Sequence, residues 1–146
     1  MKRVFVTAAV AAAMVAGGAA LTTTTASAAT SVGWCDGVKS VQVSSKGDYV
    51  RQPYHKGTGS RNCTLAQGAE GGAVVVLQTS LKSCNFARDL DIDGDFGPAT
   101  RDAVEYAQSR RGTAADGIYG PDSRRAFLWS MYDSQHRPTG KCVGTN

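Results

Sequence analysis

Residues Asp93 to Ala103 read DGDFGPATRDA, and 23 residues later Asp116 to Ala126 read DGIYGPDSRRA. Aligned without a gap, eight of the eleven positions agree in type: Asp, Gly, aromatic, Gly, Pro, hydroxyl, Arg and Ala. One local design at a fixed spacing is a repeat. Asp-Gly favours a tight turn, because Asp bonds its own backbone and Gly accepts positive φ. Phe96 or Tyr119 then has a bulky face to bury. Pro98 or Pro121 suits the first position of a helix, where its missing N–H is not needed. Each copy therefore predicts a turn, a buried aromatic plug and a helix start.

Working outward, Gly71-Gly72 breaks the chain before Val74, Leu77, Leu81 and Cys84, which fall on one face of a helix. Asn85 is expected to stop that helix in the left-handed conformation, with Phe86 and Leu90 packed beneath the following loop. The second helix is predicted from Pro98 to about Arg111, with Ala103, Val104 and Ala107 inward and Gly112 as its stop. The third is predicted from Pro121 to about Tyr132, burying Ala126 and Phe127, with Trp129 either core or an exposed platform. The fold expected is mainly α, a small three-helix bundle over residues 71–133. An arm at residues 29–70 precedes it, thin in apolar residues and stapled, with a short hairpin possible around Val38, Val41, Val43, Tyr49 and Val50. Residues 134–146 form a polar tail that would trail loose unless tied down.

Residues 1–28 are set apart from the fold. Lys2 and Arg3, an apolar run from Val4 to Ala16, and Ala26-Ser27-Ala28 read as a secretory signal peptide, too short in its apolar run to span a bilayer. Without it the net charge falls from +4 to about +2, which gives no case for nucleic acid. Cys35, Cys63, Cys84 and Cys142 are an even set in a small exported chain, hence a disulfide framework with three connectivities open. Cys35–Cys63 with Cys84–Cys142 is favoured. The first bridge closes the arm, and the second ties the tail to the inward face of the first helix. The other two pairings, which bind arm to bundle, stay open.

No metal or cofactor is expected. The cysteines lack close spacing and the histidines lie apart. Asp91, Asp93 and Asp95 resemble a calcium loop only loosely, since Phe96 stands where such a loop needs Gly.

Val74 to Leu81 (V-x-x-L-Q-x-x-L), Asp93 to Val104, Gln108 with Gly112, and Asp116 to Ser123 together resemble the peptidoglycan-binding domain 1 family, a small three-helix wall-binding module. The likeness covers residues 72–129, and it departs from the family at Ala107, Thr113 and Ser123. It implies a secreted or cell-wall-associated protein, expected as a monomer with no membrane contact after signal cleavage, whose partner is the glycan strand or stem peptide of peptidoglycan. Gln78 and Gln108 are candidate groove residues or plain helix-surface residues. Arg101, Arg124 and Arg125 are candidates for a stem-peptide carboxylate, or else lie on solvated helix faces. Tyr119 reads first as core and second as a ligand platform. Neither histidine has an evident nucleophile beside it, so the expected role is non-catalytic binding. A secreted interaction protein or inhibitor on the same fold is the alternative, and a small wall hydrolase the weakest reading.

Overall fold

A computed structural model describes residues 32–145, which form one compact unit. The proposed signal peptide lies outside the described residues. Among the described residues seven elements follow in order: β1 (Gly37–Gln42), β2 (Tyr49–Tyr54), α1 (Gly72–Cys84), α2 (Pro98–Arg111), α3 (Pro121–Ala126), β3 (Trp129–Tyr132) and β4 (Pro138–Val143). The strands make one antiparallel sheet in the order β1-β2-β3-β4. Helix α1 lies against β1, β2 and β3, and α2 packs on α1 and α3.

The helices start as the sequence predicts. Pro98 and Pro121 open α2 and α3, and Gly112 ends α2 at φ 73°. Val74, Leu77 and Leu81 of α1 are buried with Phe96, Val104, Ala107, Tyr119, Phe127 and Trp129 in one core. The expected hairpin of the arm is β1–β2. Ser44 shapes its turn by holding the carboxylate of Asp48 and the backbone N–H groups of Lys46 and Asp48.

The expected mainly α three-helix bundle is overturned by the sheet. Helix α3 stops at Ala126, not near Tyr132, and Phe127 is already extended. The cause lies on α1. Asn85 accepts a hydrogen bond from the Leu128 N–H and donates to the Leu128 carbonyl at 2.8 Å, and the Ser80 hydroxyl donates to the same carbonyl at 2.6 Å. Those side chains satisfy the backbone that another helical turn would have used. Trp129 to Tyr132 then pair with β2, Tyr49 opposite Tyr132 and Val50 opposite Met131. The tail, expected to be held by Cys142, is bridged there and forms β4 rather than a polar loop.

Two smaller expectations also change. Asn85 is not left-handed; that conformation falls on Phe86, at φ 74°. Phe86 is exposed, not packed beneath the loop, with the guanidinium carbons of Arg110 and Arg111 at 5.4 and 4.9 Å from its ring centre.

The bridges are Cys35–Cys63 and Cys84–Cys142, the favoured pairing. Residues 64–70, the end of the arm, join it to both repeats through the backbone. Leu65 exchanges two hydrogen bonds with Tyr119, each 2.9 Å. Ala69 accepts from the Phe96 N–H at 2.8 Å, and Gly68 donates to the Phe96 carbonyl at 2.9 Å.

Candidate functional site

The repeat has a polar half that the sequence hides. Gln78 on α1 is buried, and its Nε2 donates to Asp93 Oδ1 at 2.7 Å, to the Asp95 carbonyl at 3.0 Å and to Thr100 Oγ1 at 3.0 Å. Its Oε1 accepts from the Gly94 N–H at 2.9 Å. Gln108 on α2 does the same for the second turn. Its Nε2 reaches Asp116 Oδ1, the Ile118 carbonyl and Ser123 Oγ, each at 2.9 Å. Its Oε1 accepts from the Asp116 and Gly117 N–H groups. In both copies a glutamine on one helix clamps an Asp-Gly turn and the first-turn hydroxyl of the next helix. The Asp95 N–H, and after it Gln78, hold the Asp93 carboxyl below the usual aspartate range.

Gln78 and Gln108 are therefore buried turn clamps and not helix-surface residues, and Gln108 also edges an open groove with Thr113, Asp116 and Ile118. Replacing Gln108 with alanine is expected to cost about 3 kcal/mol, since buried donors and acceptors left unpaired cost about 1–3 kcal/mol each. Gln78→Ala should cost a similar amount, read by urea unfolding. Unchanged stability with lost ligand binding would return either residue to the ligand site.

Two further candidates also lie inside. Tyr119 is fully buried, and burial pushes its phenol well above the usual tyrosine range. Arg124 is only 6% exposed, so it does not lie on a solvated helix face. Its Nε donates to Asn62 Oδ1 at 3.3 Å, and its own carbonyl accepts from Trp129 Nε1 at 3.3 Å. Burial first, and then the neighbouring Arg61 charge, pull its guanidinium below the usual arginine value.

Arg101 is a ligand candidate that the fold leaves at the surface. Its stem runs over Gly117, where an added Cβ would stand 2.8 Å from Arg101 Cγ, so the second turn admits the arginine only because residue 117 is glycine. The guanidinium reaches Asp102 at 2.8 Å and Glu105 at 3.6 Å, and Asp102 raises its pKa. Along the same outer face of α2 lie Tyr106, 53% exposed, and Ser109, which with Ala115 edge a shallow open groove. A cation, carboxylates, a hydroxyl and an uncovered ring on one rigid helix suit recognition of a polar ligand with an apolar face. Tyr106 escaped the sequence reading because it sits one position before the inward Ala107, where the helical period turns a side chain outward.

The histidines are placed apart from this face. His136 Nδ1 is 2.7 Å from the Tyr49 hydroxyl, and His55 Nδ1 is 3.7 Å from Asp36. Among the described residues, no cluster of His, Cys, Asp or Glu has the arrangement to hold a metal ion, and no helix is long and apolar enough to cross a membrane.

Comparison with known proteins bears on the same segment. Residues 70–127 match the family described as a putative peptidoglycan binding domain. The chain is 49% identical over 59 residues to a zinc D-Ala-D-Ala carboxypeptidase of Streptomyces albus G, covering 40% of this chain and 23% of that protein. It is 38% identical over 69 residues to a probable N-acetylmuramoyl-L-alanine amidase of Bacillus licheniformis, covering 47% and 20%. The chain thus spans about a quarter or less of the length of these curated relatives. A solved structure, the SleB N-terminal domain, is 33% identical and covers 43% of this chain and 85% of its own, at a TM-score of 0.41. The family and the two disulfides fit an extracellular or cell-wall setting. Residues 70–127 thus carry a domain of the putative peptidoglycan binding family.

Proposed function

We propose that the chain is a secreted, monomeric, non-catalytic peptidoglycan-binding protein that uses the outer face of α2. The observation that carries this reading is the family match of residues 70–127, the segment that builds that face. The relatives' names describe a carboxypeptidase and an amidase, and the matches cover only a fraction of each. Their chemistry is therefore not carried over. The placement of the histidines supports the non-catalytic part. His136 is bonded to Tyr49 and His55 stands beside a carboxylate, while all four cysteines are in bridges.

The test is to incubate the protein without residues 1–28 with insoluble purified peptidoglycan and to measure retention and soluble muropeptides together. The expected result is retention without release. Arg101→Ala and Tyr106→Ala should each weaken retention by about three- to tenfold with melting unchanged, in line with about 0.5–1.5 kcal/mol per exposed ring or charged contact. Muropeptides accumulating with pure protein would overturn the non-catalytic reading. Protein left wholly in the supernatant at low and moderate salt would overturn wall binding itself.

A further inference from the structure

Trp34 is 61% exposed, on a backbone that is held hard. The Thr64 N–H donates to the Gly33 carbonyl and the Cys35 N–H to the Thr64 carbonyl, each at 2.9 Å, and Cys35 is bridged to Cys63. Both neighbours of Trp34 are thus fixed, while its indole N–H makes no hydrogen bond among the described residues. An exposed indole on rigid backbone leaves a large apolar face against water that packing does not explain.

Beside the ring runs an open groove edged by Asp36, Gln67, Gly68 and Glu70. The Gln67 and Glu70 side chains make no hydrogen bonds among the described residues, and Asp36 spends one oxygen on the Lys56 N–H at 2.7 Å. That backbone bond, the largest influence, holds the Asp36 carboxyl below the usual range. None of the groove's lining residues is basic. Asp36 has His55 Nδ1 at 3.7 Å, but the groove itself presents two carboxylates and no basic side chain, a lining that disfavours phosphates and peptide carboxylates. The same carboxylates welcome hydroxyl and amide N–H donors, and the negative face of an indole attracts the C–H face of a sugar ring.

The geometry points to a sugar-binding site at Trp34, with Asp36, Gln67 and Glu70 as hydrogen-bonding partners, that takes the neutral N-acetylated hexosamine strand of peptidoglycan. The inference rests on the wall-binding reading and extends it. It adds a second contact on the arm, outside residues 70–127 but for Glu70, and selects the glycan over the stem peptide there.

The chain has two tryptophans, and Trp129 is fully buried, so acrylamide quenching of fluorescence reports chiefly on Trp34. The probe is a soluble β-1,4-linked N-acetylglucosamine hexamer added to the protein without residues 1–28. It is expected to protect against quenching. Trp34→Ala should lower both hexamer affinity, measured by calorimetry, and retention on peptidoglycan by about three- to tenfold, and Trp34→Phe should recover part of each. Melting should not change in either variant, since the side chain is mostly in water. Protection by a free stem peptide instead of the hexamer, or equal hexamer binding by wild type and Trp34→Ala, would overturn the sugar site. Wild-type protein that binds the hexamer but not peptidoglycan would sink the wall-binding reading and leave the sugar site standing.

Discussion

Tyr119→Ala is expected to lower the unfolding free energy by about 3–5 kcal/mol, the range for removing a fully buried aromatic ring. The ring lies edge-on to Trp129, with centres 6.1 Å apart, and is tilted against Phe127 at 6.4 Å. Its backbone pairs with Leu65. Alanine would therefore open a cavity where the second repeat, α3, β3 and the arm segment meet. Tyr119→Phe separates the ring from its hydroxyl. Among the described residues that hydroxyl is buried without a hydrogen-bond partner, so phenylalanine should be neutral or stabilise by about 1 kcal/mol. Urea unfolding of the pair decides the matter. A Tyr119→Ala protein as stable as wild type but unable to bind peptidoglycan would make the ring a ligand platform.

The same residue shows what was legible in the sequence and what was not. A turn, a buried aromatic and a proline-started helix can be read from Asp116 to Pro121 because each depends on local backbone chemistry. The inward faces of α1 and α2 follow from the helical period, as Val74, Leu77, Leu81 and Val104 show. The clamping role of Gln78 and Gln108 is hidden in the sequence for a physical reason. A glutamine on a helix looks the same whether it faces water or clamps a turn 15 or 8 residues away along the chain. Only the three-dimensional return of the Asp-Gly turns decides. Arg124 is the same case. It is a twin of Arg101 within the repeat, yet the arm and the last described residues cover it, whereas the Arg101 guanidinium stands among solvent and carboxylates.

The end of the third helix was the largest miss, and part of its signal was present. Phe127, Trp129 and Met131 recur every second residue, a strand period. On a helix Phe127 and Trp129 would point to nearly opposite sides, yet both are fully buried. The repeat fixes where a second proline-started helix begins and is silent on where it ends. Its continuation was settled instead by Ser80 and Asn85, some 45 residues earlier, which capture the Leu128 backbone. Such nonlocal capture is invisible to periodicity. The exposure of Trp34 was equally hidden, because an indole next to a cysteine reads as core until the fold leaves one side of it open.

Removing the Cys84–Cys142 bridge should cost about 4 kcal/mol if the loop it closes is flexible when unfolded, against about 3.5 kcal/mol for Cys35–Cys63. The ordering follows from sequence separations of 58 and 28 residues. The structure adds where the loss falls. Strand β4 is an outer strand, bonded only to β3, and β3 meets β2 through just two residue pairs with a register irregularity on its other side. The bridge is the covalent link between that hairpin and α1. In a Cys84→Ser, Cys142→Ser protein, amide exchange should rise first in β4, then in β3, while α2 keeps its protection. Retention on peptidoglycan below the melting temperature should persist, because neither the α2 face nor Trp34 includes a bridged residue of this hairpin. Stability within about 1 kcal/mol of wild type, well short of the chain-entropy value, would overturn this account. It would mean that Trp129 burial and the Asn85 clamp on Leu128 hold the hairpin without the bridge.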